Sequence, residues 1–156
     1  MKLEIRLFRS EDADQIAQLF HNTVRSINVR DYSISQVEAW APNDLYFRNW
    51  TEACSTRFTV VADQAGLILG FGELESNGQI DCFYVHKDYQ GHGVGQRIYG
   101  AIERRAKEMG IDRLSTKASI TAKPFFERLG FSTVTEQQVS RRGANFTNYK
   151  MVKLLD

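Results

Sequence analysis

Cysteine is nearly missing from this chain of 156 residues: only Cys54 and Cys82 occur, far apart and without a CxxC partner. That excludes a disulfide framework and a zinc cluster built on paired cysteines, so no metal is expected and a reducing cytoplasm fits best. A surplus of one charge is missing too, since 20 lysines and arginines face 19 acids for a net charge of +1. Such balance gives no broad electrostatic footprint for nucleic acid or an anionic membrane. The basic pairs Arg104-Arg105 and Arg141-Arg142 stand alone, and a single basic pair is usually a solvated face. No apolar run approaches the ~20 residues that a membrane span needs, and Met1-Lys2-Leu3-Glu4-Ile5-Arg6 interleaves charge with apolar residues, unlike a secretion signal. The length predicts one domain over residues 1–156, and 42% hydrophobic with 25% charged residues is an ordinary globular mixture.

Periodicity supplies the elements. Leu3, Ile5 and Leu7 alternate with Glu4, Arg6 and Phe8, predicting a strand over residues 2–8. Ser10 as N-cap, with Glu11, Asp12 and Asp14 in the first turn, precedes Ile16, Leu19, Phe20, Val24 and Ile27 at helical spacing. Ser33-Ile34-Ser35 opens a shorter helical stretch through Val37 and Trp40, broken by Pro42, and residues 44–54 are a further helical candidate. Trp40, Tyr46, Phe47 and Trp50 crowd this region, as padding for a core edge or as lining for a substrate pocket. Residues 58–62, 67–75 and 79–85 read as a meander, the last two strands joined at Asn77-Gly78. The period then changes: Ile98, Ala101, Ile102, Ala106 and Met109 mark a helix that Gly110 stops. A strand at 113–117, a helix opened by Pro124 and stopped by Gly130, and strands at 131–139 and 146–154 complete the order. Strands in a meander followed by strand, helix, strand, helix, strand predict the α/β class, with a mixed sheet and helices on its faces.

Chemistry concentrates between Val85 and the helix beginning near Gly95, where Gly91, Gly93 and Gly95 occupy alternate positions. Glycine tolerates positive φ and admits a ligand to the backbone, so successive amides can converge on a phosphate or pyrophosphate where the helix dipole is positive. A P-loop is excluded, because Gly95 is followed by Gln96-Arg97 rather than Lys-Ser/Thr. A dinucleotide fingerprint is disfavoured by the GxGxG spacing and by the lack of an acid closing the next strand.

Gln90-Gly91-His92-Gly93-Val94-Gly95 resembles the (R/Q)xxGx(G/A) signature of the GCN5-related N-acetyltransferases, with Gln90, Gly93 and Gly95 at its defined places. Downstream, Ala122, Phe126 and Leu129-Gly130-Phe131 resemble that family's second signature, NxxAxxxYxxxGF. The runs 118–131 and 142–148 look like the YafP-type bacterial branch. The resemblance implies an acyl-CoA N-acyltransferase fold, a central, mostly antiparallel sheet with splayed strands and helices on both faces. Acetyl-CoA is then the acetyl donor, in a wedge opened where the strand ending at Val85 leaves its neighbour. The amides of Gly91, His92, Gly93, Val94 and Gly95 would hold the pyrophosphate, the main chain of Phe83 and Val85 would pair with the pantetheine, and Gln96, Ser119 and Phe126 would add contacts. Arg97 is open between a CoA phosphate and a solvated helix face. The implied activity is transfer of acetyl to a primary amine of a small molecule or peptide by direct attack in a ternary complex; the alternative is a non-catalytic acyl-CoA-binding module. The implied partners include neither nucleic acid nor membrane, and a homodimer is a frequent assembly in the family.

The pattern departs from the family in two places. Many relatives carry a tyrosine at the Phe126 position to protonate the departing thiolate, and the usual asparagine is Ser119 here. Ser119, Thr121 and Tyr149 are candidate donors, Thr121 alternatively a helix N-cap, while a thiol of pKa about 8.5 is a fair leaving group unaided. For the base, Asp81 stands in an otherwise apolar strand and shares a face with Phe83 and Val85 by the two-residue period. A charge there is costly unless paired or exposed to a cleft. Glu73 and Glu75 are the other candidates, Cys82 falls on the opposite face as an inert thiol, and His86 is a relay or a loop-edge residue.

Overall fold

The computed structural model describes residues 2–156. Seven strands, β1 (Glu4–Leu7), β2 (Phe58–Gln64), β3 (Leu67–Leu74), β4 (Gln79–Val85), β5 (Arg113–Ser119), β6 (Ser132–Arg141) and β7 (Ala144–Leu154), form one sheet in the order β1-β2-β3-β4-β5-β7-β6. All neighbours are antiparallel except β4 and β5. Helices α1 (Ala13–Ser26), α2 (Ile34–Trp40) and α3 (Trp50–Ser55) precede the meander, α4 (Val94–Glu108) follows β4, and α5 (Lys123–Arg128) follows β5. Among the described residues no helix is long and apolar enough to cross a membrane.

The sheet separates two cores. Ile16, Leu19, Phe20 and Val24 of α1 pack with Val37, Trp50, Val61 and Phe71 on one face. Ile98, Ile102 and Ala106 of α4 pack with Val60, Leu69, Leu114 and Met151 on the other. Two glycines let α4 lie directly on β3: a Cβ on Gly70 or Gly72 would fall 2.8 Å from Ile98 Cδ1 or Ile102 Cδ1.

Three boundaries differ from expectation. Ser10 is not the cap of the first helix; residues 10–12 form a 3-10 turn. The carboxylate of Asp12 takes the junction instead, accepting from the Arg9 amide at 2.8 Å and from two guanidinium nitrogens of Arg6 at 2.9 Å. Only the end of the 44–54 stretch is helical, because Asn49 caps α3 through the Glu52 amide and Trp50 Nε1 donates back to Leu45 O at 2.9 Å. The last two strands form a longer hairpin, and β7 lies between β5 and β6, an insertion no local pattern announces.

Two irregularities in β4 position the site. Its parallel pairing with β5 stops after Gln79↔Ser115 and Ile80↔Thr116, so the strands splay from there on. Against β3 it carries a bulge: Ile80 faces Leu74 while Phe83 faces Gly72, three residues of β4 spanning two of β3. The alternation is thereby reset, with Ile80, Phe83 and Val85 packing on the α4 side and Cys82 and Tyr84 on the α1 side. Asp81 therefore does not share a face with Phe83 and Val85, nor does Cys82 oppose it; both approach Glu73, with ligand atoms within 4.8 Å of one another.

Candidate active site

The splay opens a cavity of about 550 Å³ bounded by the end of β4, the start of α4, the end of β5 and α5. Gly91 and Gly93 have φ of 75° and 79°, the left-handed region that favours glycine. Gly93 is the N-cap of α4, yet no side chain caps the helix, and the first intrahelical bond runs from Arg97 N to Gly93 O. The amides of Val94, Gly95 and Gln96 thus remain without intrahelical partners at the positive end of a 15-residue helix, a donor set suited to an anion. Gly95 serves a different need: a Cβ there would stand 3.0 Å from the Phe125 ring. Of residues 90–96, all but His92 line the cavity; its exposed ring lies 6.1 Å from that of Tyr89. Phe126 is buried edge-on to Phe83 and Phe131 and gives the cavity an apolar wall.

His86 N donates to Leu69 O, so antiparallel alternation turns the main-chain groups of Phe83 and Val85 away from β3, toward the splay. The Val85 carbonyl is nevertheless occupied: Thr23 Oγ1 donates to it at 3.0 Å and Gln90 Nε2 at 2.8 Å. That corrects the expectation that both its main-chain groups await a ligand; the N–H does. Gln90 acts here as a brace between loop and strand, and Thr23, unremarkable in sequence, anchors α1 to the same atom. His86 Nδ1 accepts from the Asp88 amide at 3.1 Å and holds the short turn.

A second cavity of about 360 Å³ lies beneath α2 and the segment leading to α3, walled by Phe20, Trp40, Phe47 and Phe146. It meets the first at Trp40, Asp81, Tyr84, Lys117 and Ser119, which line both. Ser119 Oγ accepts from the Ala122 amide at 3.0 Å, leaving its proton to give. Thr121 is not a helix cap; it donates to Asp31 Oδ2 at 2.8 Å. Tyr149 lines neither cavity: it pairs with Ala118 on the α5 side, its ring 4.5 Å from Lys123 Nζ.

The three acids form one network with two arginines. Glu73 is fully buried and receives both terminal nitrogens of Arg48 at 2.9 Å and Arg57 Nη1 at 2.8 Å. Asp81 Oδ2 lies 2.7 Å from Arg57 and 3.5 Å from Arg48, and Glu75 lies 3.7 Å from Arg57. Glu73, Asp81 and Cys82 have the spacing of a metal site, but two guanidiniums already satisfy the carboxylates, so the donor set does not fit a cation. Neither arginine belongs to a motif. A signal existed: Arg48 and Arg57 are the only basic residues between positions 31 and 86, where acids in apolar strands need partners. Burial, reinforced by Glu73, pushes the Cys54 thiol up to about 12 and Cys82 well above its ordinary value. Burial, with Cys82 and Asp81 adding and Trp40 opposing, holds the Tyr84 phenol well above the usual tyrosine range.

The chain is similar to known proteins in sequence and in fold. The family model described as an acetyltransferase (GNAT) domain matches residues 28–153. The uncharacterised N-acetyltransferase YafP of Escherichia coli (strain K12) is 35% identical over 150 residues, covering 96% of this chain and 94% of YafP. A crystal structure of a GCN5-related N-acetyltransferase from Rhodopseudomonas palustris superposes with a TM-score of 0.92 at 32% identity, over 99% of this chain and 97% of that one. The PaiA N-acetyltransferase of Thermoplasma acidophilum, crystallised with coenzyme A, shares the fold at a TM-score of 0.80 and 16% identity, covering 99% of each chain. With its uncapped glycine loop, splayed β4 and β5 and matching signatures, the chain belongs to the GNAT family of N-acetyltransferases.

Proposed function

We propose that the protein transfers acetyl from acetyl-CoA to a primary amine of a small molecule or peptide by direct attack within a ternary complex. One observation carries this reading: the cavity beside the uncapped helix terminus and the aromatic cavity meet at Asp81, Tyr84 and Ser119, so donor and acceptor reach one another without a covalent carrier. The amides of Val94, Gly95 and Gln96 bind the pyrophosphate, and the splay-facing main chain of Phe83 and the Val85 N–H pair with the pantetheine arm. Gln96, Ser119 and Phe126 border that path.

Asp81 takes the proton that the acceptor ammonium must lose before its neutral nitrogen can attack. Its Oδ2 lies against Arg57 and Arg48 while the residue lines both cavities, and Glu73 acts through those arginines as a positioning residue. As the amine nitrogen bonds to the carbonyl carbon, the carbon–sulfur bond breaks, the nitrogen gives up its second proton and the thiolate takes one, so a proton passes in net from nitrogen to sulfur. Tyr84, kept neutral, and Ser119, with its proton uncommitted, are the two hydroxyls at that place. Tyr149 has no part in this reading.

The test is release of CoA thiol on adding a panel of amines to protein loaded with acetyl-CoA. Turnover by the natural chain, about 100-fold lower in Asp81→Asn with donor affinity unchanged, is the expected outcome. Acetyl-CoA binding with no thiol released by any amine supports the acyl-CoA-binding module instead.

A further inference from the structure

Glu73 and Glu75 are taken up by Arg48 and Arg57, and Asp81 meets both arginines through Oδ2, which changes the charge of the second cavity. Among its described lining residues Asp81 is the one acid, and its Oδ2 is already paired. Lys117, Arg141 and Arg142 also line it, and none has an acidic partner among the described residues. Arg142 sits at the tip of the β6–β7 hairpin with φ of 44° and folds onto the carbonyls of Ala39 and Trp40, its guanidinium 4.9 Å from the Phe47 ring. Burial and the neighbouring Arg141 lower the pKa of Arg142, and a guanidinium held only by neutral carbonyls gains from a ligand's negative charge.

The deeper wall has the opposite need. Asn148 Oδ1 is shut off from solvent and has no hydrogen-bond partner, in a residue that lines the cavity and pairs with Ser119 across β5 and β7. A buried carbonyl oxygen without a donor is costly, and turning that amide toward the cavity lets a ligand N–H repair it. Four residues of β7, roughly 14 Å of strand, separate Asn148 from Ala144, the partner of Arg141. The reach of an arginine side chain spans about half of that gap, and aromatic rings wall the remainder.

We propose that this cavity selects acceptors carrying a carboxylate at the far end of an aromatic or apolar spacer, with the amine at Asn148 and Asp81 and the carboxylate at Arg141 and Arg142. The proposal rests on the reading of this cavity as the acceptor site. Bidentate pairing between guanidinium and carboxylate gives the selection its strength, and the spacing disfavours α-amino acids, whose two groups are adjacent.

Calorimetry on protein saturated with CoA, using 4-(aminomethyl)benzoate, its carboxamide and phenylalanine, tests this without requiring turnover. The benzoate should bind at least tenfold more tightly than the other two. The preference should vanish in Arg141→Gln and in Arg142→Gln with CoA affinity unchanged, and Asn148→Leu should weaken all three ligands alike. Arg141, whose side chain makes no hydrogen bond or ion pair among the described residues, keeps the test clear of folding effects. Equal affinities for acid and amide, a preference that survives both arginine changes, or no binding at all would overturn the proposal. Thiol release from acetyl-CoA separates the two ideas: acid and amide acetylated equally well leaves the transferase reading and removes this one. Tight, arginine-dependent binding of the acid without thiol release does the reverse.

Discussion

The two cavities that meet at Asp81 are made of different material. The wedge beside α4 presents main chain: orphan amides from residues 94–96, left-handed glycines before them, and the turned-out edge of β4. The aromatic cavity presents side chains from α1, α2, the segment before α3, β4, β5 and the β6–β7 hairpin. A backbone site tolerates any side chain that does not intrude and depends on a few glycines. A side-chain site is held by the partners that orient each group, and its charge is known only after those partners are counted.

The largest effect that would sharpen this contrast is in the loop. Gly93→Val places a β-branched residue at φ 79° and should weaken acetyl-CoA binding by about 100-fold or more in calorimetry; unchanged affinity would mean that the amides do not hold the donor. Next is Arg48→Ala, which strips fully buried Glu73 of its bidentate partner. It should cost about 3 kcal/mol in urea unfolding, and a loss below about 1 kcal/mol would show that Arg57 alone satisfies the carboxylate.

A pH effect follows from the thiols on the same side. Folding raises the pKa of Cys54 to about 12 and that of Cys82 well above its ordinary value, so above about pH 8.5 the unfolded chain releases protons that the folded chain keeps. Stability should therefore fall as pH rises beyond that point, and Cys54→Ala with Cys82→Ala should flatten the decline; an unchanged slope would assign it to other groups. The smallest effect belongs to the wedge again. His92→Ala should alter donor affinity less than twofold, since the ring lines neither cavity, and a larger loss would give that side chain a role the backbone account denies it.

The same contrast explains what was legible in the sequence. Gly91, Gly93 and Gly95 fall within five consecutive residues, and Ile98, Ile102 and Ala106 repeat at helical spacing, so loop, helix and fold class could be read together. Asp81 was found because a charge in an apolar strand is conspicuous, but its facing was misjudged because a bulge is invisible to a period of two. Arg48, Arg57, Tyr84 and Thr23 escaped notice because each is ordinary in its own segment and gains meaning from pairing 16 or more residues away, or from lying where β4 leaves β5. The cationic rim depends on β7 entering between β5 and β6, which brings Arg141 and Arg142 over the α2 side.

Direct attack requires donor and acceptor to occupy the adjoining cavities at once. It is tested most directly by initial velocities measured while both acetyl-CoA and an accepted amine are varied. Intersecting reciprocal plots, with no acetylated protein detected by mass spectrometry before the amine is added, are predicted. Parallel plots together with a stable acetyl-protein species would contradict it.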